Sequence, residues 1–100
     1  MRAYRNLNPN WPRRRARLFN LDEQGYLDLL EAQQGVCAIC KKPETVKNQK
    51  GEIRSLAVDH DHSTGQVRGL LCFRCNGGLG ILENEEFSST GQAYLVSNNG

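Results

Sequence analysis

The 100-residue sequence has no long hydrophobic run, and its first 20 residues contain no acidic side chain. No apolar segment approaches the roughly 20 residues that a transmembrane helix needs, which excludes a membrane-spanning protein. Residues 1–20 also lack the apolar segment of a secretory signal, so we expect a cytoplasmic protein. A chain of this length forms one domain with a modest core. Such small cores usually need further stabilisation, for example by disulfides or a bound metal.

The formal net charge of +2 is unevenly distributed along the chain. Residues 1–20 form a basic arm, whereas the other residues carry seven basic and eleven acidic side chains. The basic side chains of the arm are Arg2, Arg5, Arg13, Arg14, Arg15 and Arg17. A basic arm on a mildly acidic body favours a polyanionic partner, most simply DNA, and the alternative is a solvated tail.

The four cysteines form two Cys-x-x-Cys pairs, Cys37 with Cys40 and Cys72 with Cys75. In a reducing compartment such pairs are typical of a structural zinc site; two disulfides or a redox centre are the alternatives. Four thiolates complete the tetrahedral shell that zinc prefers, so the ion would have a structural role only. The 31 residues between the pairs exceed the spacing of a simple zinc ribbon, about 15 to 20, and predict an inserted segment.

Local patterns predict two helices before the first cysteine pair. The arginines of residues 13–17 favour a short helix. Asp22 is then a candidate N-cap for a second helix, whose apolar stripe runs from Tyr26 to Leu30 and is expected to pack in the core. Gly35 is the candidate stop of that helix.

The central segment has the strand, turn and strand pattern of a β-hairpin. A further helix is expected to begin at the second cysteine pair. The predicted parts of the hairpin are a loop at 44–54, a strand at 55–60, a turn at 63–65 and a second strand at 66–72. Residues 84–100 are acidic and then rich in Ser, Asn and Gly. They predict a tail or, around 92–96, a short helix.

Asp59-His60-Asp61-His62 contains both histidines of the chain. A hard cation such as Mg²⁺ takes carboxylate oxygens, and a neutral imidazole can remove a proton from water. Together these groups supply what hydrolysis of a phosphodiester requires. In a regular strand Asp59 and His60 point to opposite faces, so they can serve one site only where the strand bends or ends, for example at a bulge.

Three motifs follow one another between Asp59 and Gly80. They are Asp59-His60-Asp61-His62, then Thr64-Gly65-x-Val67-Arg68-Gly69-Leu70-Leu71-Cys72-x-x-Cys75-Asn76, then Leu79-Gly80. This string resembles the phage recombination endonuclease VII family, which belongs to the HNH, or His-Me finger, nucleases. The likeness covers roughly residues 21–82.

The resemblance implies an α+β fold, a small zinc-stapled ββα-metal domain with a preceding helix. This domain would occupy residues 21–83, between the basic arm of residues 1–20 and the remainder at 84–100. The resemblance also implies a phage or prophage origin and action inside the bacterial host cell. The expected activity is that of an endonuclease, a phosphodiester hydrolase acting on DNA.

The resemblance further implies roles for individual residues. His60 would be the general base that activates water, and Asp59 and Asn76 would ligate one catalytic Mg²⁺ or Mn²⁺. The alternative for Asn76 is a helix cap. His62 would contact the scissile phosphate or help to hold the metal, and Asp61 would face away. Hydrolysis would leave 5′ phosphate and 3′ hydroxyl ends.

Several arginines are candidates for contacts with DNA phosphates. Arg68 and Arg74 flank the site in sequence, with ordinary surface charge as the alternative. The arm would add salt-sensitive affinity that does not depend on base sequence, through Arg13, Arg14, Arg15 and Arg17. No set of side chains is identified that reads base edges, so sequence specificity is not predicted.

The chain departs from the best-known family members, which resolve branched DNA as intertwined dimers with long C-terminal helices. Fewer than 20 residues follow Leu82, and they are poor helix material. A simpler endonuclease that nicks DNA or cuts both strands fits better, as a monomer or a dimer. The main rival function is a non-catalytic zinc module that binds DNA, and a second is a disulfide-linked interaction protein.

Overall fold

The computed structural model describes residues 10–98 of the chain. The elements are, in chain order, α1 (Arg13–Leu18), α2 (Glu23–Ala32), β1 (Ala57–His60), β2 (Val67–Leu71), α3 (Phe73–Glu83) and α4 (Glu85–Asn98). The two strands form an antiparallel sheet, and with α3 they make a ββα unit. The predicted α+β fold is confirmed. Across residues 10–98, no helix combines the length and hydrophobicity needed to cross a membrane.

Helix α1 packs against the core although most of its residues are arginines. Ala16 is fully buried, and Trp11, just before the helix, is 7% exposed. The Trp11 ring contacts the Tyr26 ring of α2, with the centroids 5.4 Å apart. The predicted short helix is confirmed, and a solvated tail is excluded for residues 10–20. The arm residues Arg2 and Arg5 lie outside the described part of the chain.

Helix α2 begins where the sequence predicts, and it ends at Ala32 with Gln33 as its C-cap, shortly before the predicted stop at Gly35. The Asp22 carboxylate accepts a hydrogen bond from the Gly25 N–H at 2.8 Å and caps the helix. At the other end Gly35 has a φ of 75°, a conformation that glycine adopts readily. The buried Tyr26 hydroxyl donates to the Leu56 carbonyl at 2.6 Å, which ties α2 to the chain entering β1. Burial raises the pKa of Tyr26, so this donor stays protonated.

The core lies between α1, α2 and the hairpin. Its buried members are Trp11, Ala16, Tyr26, Leu56, Val58, Leu70 and Leu71, together with Cys37 and Cys72. Leu29 and Leu30 of the α2 stripe are partly buried and pack against this cluster, as predicted. Two of the four cysteines are therefore continuous with the hydrophobic core.

The hairpin contains an irregularity at the Asp-His pair. Asp59 lies opposite Gly69, whereas the next residue, His60, pairs with Val67. Arg68 is thus an extra residue in β2. This is the pattern of a β-bulge, which bends the strands and increases their twist. The irregularity that adjacent Asp59 and His60 require in order to serve one site is present.

Asp61 organises the turn between the two strands. Its carboxylate accepts hydrogen bonds from the N–H groups of Ser63 at 2.8 Å and Thr64 at 3.1 Å. These bonds lower the pKa of Asp61 and keep it charged. Gly65 completes the turn with a φ of 76°. The predicted turn at 63–65 is confirmed, and Asp61 has a structural role within it.

The side chain of Gln33 lies along β2. Its oxygen accepts a hydrogen bond from the Leu70 N–H at 2.9 Å, and its nitrogen donates to the Leu70 carbonyl at 3.0 Å. Gly69 leaves room for this carboxamide, because a Cβ there would lie 3.2 Å from the Gln33 oxygen. The end of α2 is thereby bonded to the hairpin.

Residues 44–54 form an irregular loop, as predicted. An isolated bridge joins Lys47 and Ile53. Within the loop, the Asn48 side-chain oxygen accepts two backbone hydrogen bonds, at 2.9 and 3.0 Å. Gly51 adopts a φ of 81° near the tip, so this position favours glycine.

Helices α3 and α4 bury little of their surface. No residue of α3 is buried, and α4 packs against α3. The large exposed hydrophobic residues of this pair are Phe73, Ile81, Leu82, Phe87, Tyr94, Leu95 and Val96. The prediction of a tail or short helix at 84–100 is too short, because α4 spans 14 residues. The Asn84 side chain caps α4 by accepting from the Phe87 N–H at 3.0 Å, and two glutamates occupy its first turn.

Candidate functional site

The four cysteines meet where β2 ends. Their Sγ atoms all lie within 4.8 Å of one another, and those of Cys40 and Cys72 are 3.9 Å apart. All four are free thiols, which disagrees with the disulfide alternative. Tetrahedral zinc with Zn–S bonds of about 2.3 Å requires sulfur atoms about 3.8 Å apart. The cluster therefore fits a metal such as zinc.

Backbone N–H groups point at the sulfur atoms of this cluster. Ile39 donates to Cys37 Sγ, and Cys75 donates to Cys72 Sγ, each at 3.4 Å. Burial tends to raise the pKa of Cys37, but backbone donors outweigh it and lower the pKa to about 6. The hydrogen bond to Cys72, followed by burial, raises the pKa of Cys75 to about 12. A bound cation would favour the thiolate form of all four.

The Asp59 carboxylate is held by Arg68, the extra residue of the bulge. Arg68 Nε lies 2.8 Å from one carboxylate oxygen, and Nη2 lies 3.0 Å from the other. The Asp59 side chain is only 13% exposed, so water screens this bidentate pair incompletely. Each carboxylate oxygen keeps a further lone pair, and Asp59 can therefore still accept a cation.

Glu83, the last residue of α3, joins the side chains of the hairpin. Its Oε2 accepts a hydrogen bond from Arg68 Nη1 at 3.3 Å, and its Oε1 lies 3.9 Å from His62 Nε2. Hydrogen bonds to Asp59 and then to Glu83 raise the pKa of Arg68. Glu83 was not among the residues predicted from the sequence. The available signal was its spacing of seven residues from Asn76, which puts both on one face of α3.

The His60 imidazole contacts two other rings. The Phe19 ring stacks on it with the centroids 3.9 Å apart and the planes inclined by 21°. The His62 ring lies 4.7 Å away, inclined by 33°. Within residues 10–98, no protein group forms a hydrogen bond with the His60 imidazole. Phe19 was not among the residues predicted from the sequence.

Asn76 lies in the first part of α3 with its side chain exposed. The N-cap of α3 is Cys72, whose Sγ accepts the hydrogen bond from Cys75 N–H. The helix-cap alternative for Asn76 is therefore wrong. Because Glu83 lies on the same face and reaches Arg68, this face of α3 is turned toward the hairpin.

A continuous set of contacts joins Asp59 to His60. It passes from Asp59 to Arg68, then to Glu83, to His62 and finally to the His60 ring. One carboxylate and the carboxamide of α3 are oxygen donors of the type that Mg²⁺ takes while keeping several waters. In the described chain, the four cysteines are the one group of three or more acidic, His or Cys side chains close enough to share a metal. A cation at the hairpin would therefore depend on water ligands as well.

The arginines predicted to bind DNA occupy three places. Those of α1 are exposed at Arg13, Arg14, Arg15 and Arg17. Arg68 is engaged by two carboxylates in the bulge. Arg74 borders a cleft that Cys40 and Cys75 also line. Arg68 and Arg74, which both flank the site in sequence, thus belong to different parts of the molecule.

A ββα unit with a four-thiol cluster at its base and an Asp-His pair at a hairpin bulge defines a small ββα domain with a candidate structural metal site. Residues 12–97 match the family model of recombination endonuclease VII, and the chain belongs to this family.

Two relatives come from mycobacterial phages. The Gene 59 proteins of Mycobacterium phage D29 and Mycobacterium phage L5 are each 39% identical to the chain over 67 residues. The match covers 67% of the chain and 37% of each relative, so the chain spans little more than a third of these curated proteins. No solved structure matches the chain.

Proposed function

We propose that this protein is a metal-dependent DNA endonuclease of the HNH, or His-Me finger, type. The observation that carries the proposal is the bulge that joins adjacent Asp59 and His60 in one cluster beside α3. Membership of the recombination endonuclease VII family supports the same function independently. The enzyme would hydrolyse phosphodiester bonds in the bacterial host cell, by nicking or by cutting both strands.

Different side chains of the hairpin and α3 would bind the metal and activate the attacking water. Asp59 and Asn76 would hold one Mg²⁺ or Mn²⁺, which supplies positive charge to the phosphate and to the leaving 3′ oxygen. His60 takes a proton from the attacking water, because neutral imidazole is a base near neutral pH. His62, whose side chain is 71% exposed, would contact the scissile phosphate. The products would carry 5′ phosphate and 3′ hydroxyl groups.

The four-thiol cluster would hold one structural zinc ion. Cys37 and Cys40 precede the hairpin, whereas Cys72 and Cys75 lie at the start of α3. Zinc would therefore fix the start of α3 relative to the core. Because Asn76 follows the last cysteine directly, this ion would also orient the proposed ligand on α3.

Exposed arginines support DNA as the substrate. The α1 arginines would contact phosphates without reading bases, so binding should weaken steeply with salt. Arg68 would exchange Glu83 for a phosphate oxygen and keep its pair with Asp59. Arg74, beside the cysteine cluster, would contact a phosphate farther along the DNA.

The decisive experiment uses supercoiled plasmid and protein shown to contain one zinc ion. We expect nicking in Mg²⁺ or Mn²⁺ that a chelator of these ions stops. His60→Ala should lower the nicking rate by about 10²-fold or more, because it removes the general base. His62→Ala is the matched control at the second histidine, and it should keep more activity than His60→Ala.

Two outcomes would contradict the proposal. If zinc-loaded wild-type protein fails to nick the plasmid in every divalent metal tested, the nuclease proposal is wrong. If it still binds DNA, the alternative of a non-catalytic zinc module is correct. Equal activity of wild type and His60→Ala would remove His60 from the mechanism.

A further inference from the structure

We propose that Phe19 is a positioning residue, whose ring fixes the plane of the His60 imidazole and connects the arginine helix α1 to hydrolysis. This inference rests on the proposed nuclease function. It assigns a role to a residue at the end of the basic arm, far in sequence from the Asp-His pair.

The contact between the two rings is the first observation. Their centroids are 3.9 Å apart and their planes are inclined by only 21°, so Phe19 covers one face of the imidazole. Functional histidines are commonly oriented by a hydrogen bond from the ring nitrogen that does not react. Among the described residues His60 has no such bond. Stacking by Phe19 therefore takes over the orienting role.

The position of Phe19 is itself well determined, which a positioning residue requires. Its N–H donates to the Ala16 carbonyl at 3.0 Å, and the N–H of Leu21 donates to the same oxygen at 2.9 Å. Ala16 is fully buried, so both bonds attach this segment to the core. Asn20 lies between them with a φ of 59°, and it turns the chain immediately after the ring.

Phe19 also connects His60 with the positive charge of α1. The Arg15 guanidinium carbon lies 5.9 Å from the centroid of the Phe19 ring. A phosphate bound by Arg15 would therefore approach the same ring that stacks on His60. One short element would then both contact DNA and orient the base that activates water.

The experiment compares Phe19→Leu, which removes the ring, with Phe19→Tyr, which keeps it. Phe87→Leu is the matched control, because it makes the same change at an exposed ring on α4. Zinc content and thermal melting verify folding, and Phe19→Met guards against a defect specific to leucine. DNA affinity without divalent metal, kcat and KM for nicking are then measured. A nuclear Overhauser effect between the Phe19 and His60 rings tests the contact in the wild type.

We expect Phe19→Leu to lower kcat by on the order of 10-fold, since a misplaced base loses much of its effect. Its DNA affinity should stay within about twofold, and Phe19→Tyr should restore most of kcat, because stacking needs the ring alone. Wild-type kcat in Phe19→Leu would overturn the inference. So would a Phe19→Tyr variant as slow as Phe19→Leu, or a missing wild-type cross-peak. Failure of the proposed function is distinct, because the wild type itself would then not nick DNA.

Discussion

The cysteine cluster and the Asp59–His60 pair, which are the two candidate functional groups of this protein, are held by different kinds of contact. The four cysteines converge through short turns next to the core, and their sulfur atoms lie within 4.8 Å of one another. Asp59 and His60 instead each have a partner from elsewhere in the chain. Arg68 neutralises Asp59, and Phe19 covers one face of His60.

This difference separates a site whose ligands come from two short Cys-x-x-Cys turns from one whose side chains are oriented by Arg68 across the bulge and by Phe19 at the end of α1. The cysteine cluster offers four identical ligands to a cation. The hairpin cluster already contains a cation of its own, the Arg68 guanidinium. We therefore expect the first cluster to govern stability and the second to govern activity.

The largest expected effect is the loss of folded structure when one of the four cysteines is replaced. Cys72→Ser should lose zinc and leave the domain largely unfolded at 25 °C, because structural zinc supplies folding free energy directly, about 10 kcal/mol or more in small zinc domains. His60→Ala should stay folded and lower Tm by less than about 8 °C, since it removes only the ring contacts with Phe19 and His62. Circular dichroism melting with metal analysis measures both.

Equal melting curves for Cys72→Ser and His60→Ala would contradict this division between stability and activity. Chelation of zinc from the wild type under reducing conditions should reproduce the loss of structure in Cys72→Ser. Restoring zinc should then return the native spectrum to the wild type only.

A smaller effect is expected when the positive charge of Arg68 is removed from the hairpin cluster. Arg68→Gln should strengthen Mn²⁺ binding by up to about tenfold, because a neighbouring positive charge opposes the metal by about 1 kcal/mol at a partly exposed site. Electron paramagnetic resonance of free Mn²⁺ measures the affinity without any DNA cleavage. Stability should change little, since the Arg68 side chain is 36% exposed and water screens its ion pairs.

Arg74→Gln is the matched control for that measurement, because it removes the same charge beside the cysteine cluster. It should leave Mn²⁺ affinity unchanged. Weaker Mn²⁺ binding in Arg68→Gln would show that Arg68 orients Asp59 for the metal and does not compete with it.

The smallest effect concerns glycines that lie in open space. Gly77 is on the exposed side of α3, and nothing lies within 4 Å of a Cβ placed there. Gly77→Ala should raise the free energy of unfolding by about 0.5 to 1 kcal/mol, because alanine has the higher helix propensity. Gly51 has equally open surroundings but a φ of 81°. Gly51→Ala should therefore lower stability, and chemical denaturation of the zinc-loaded variants compares the two signs.

An unchanged or lower stability of Gly77→Ala would show that α3 is held by zinc and packing so strongly that helix propensity no longer matters. An unchanged or higher stability of Gly51→Ala would mean that a side chain does not strain the backbone conformation of the loop at Gly51.

Much of the zinc end of the fold could be predicted from the sequence. The two Cys-x-x-Cys pairs and the Asp22 cap act over a few residues, so spacing alone indicates their structure. The turn at Gly65 is equally local. For the hairpin, the adjacency of Asp59 and His60 indicated that an irregularity was needed, although not that Arg68 would be the extra residue.

The partners within the hairpin cluster could not be predicted in the same way. Phe19 and His60 meet only because α1 is anchored by Ala16, and Glu83 reaches Arg68 only once α3 has packed on the hairpin. The length of α4 was also missed. Its Ser and Gly residues are weak helix formers, and capping by Asn84 together with packing against α3 outweighs that tendency.

The Gln33 carboxamide limits how a second molecule can associate with the edge of the β-sheet. A strand at the edge of a sheet presents free N–H and C=O groups, to which a strand of another molecule can add. At Leu70 both groups are already bonded, since Gln33 reproduces the donor and acceptor of a neighbouring strand and Ala38 N–H also donates to the carbonyl. The outer edge of β2 is therefore closed at this point, and neighbouring molecules cannot pair their hairpins there into a growing aggregate.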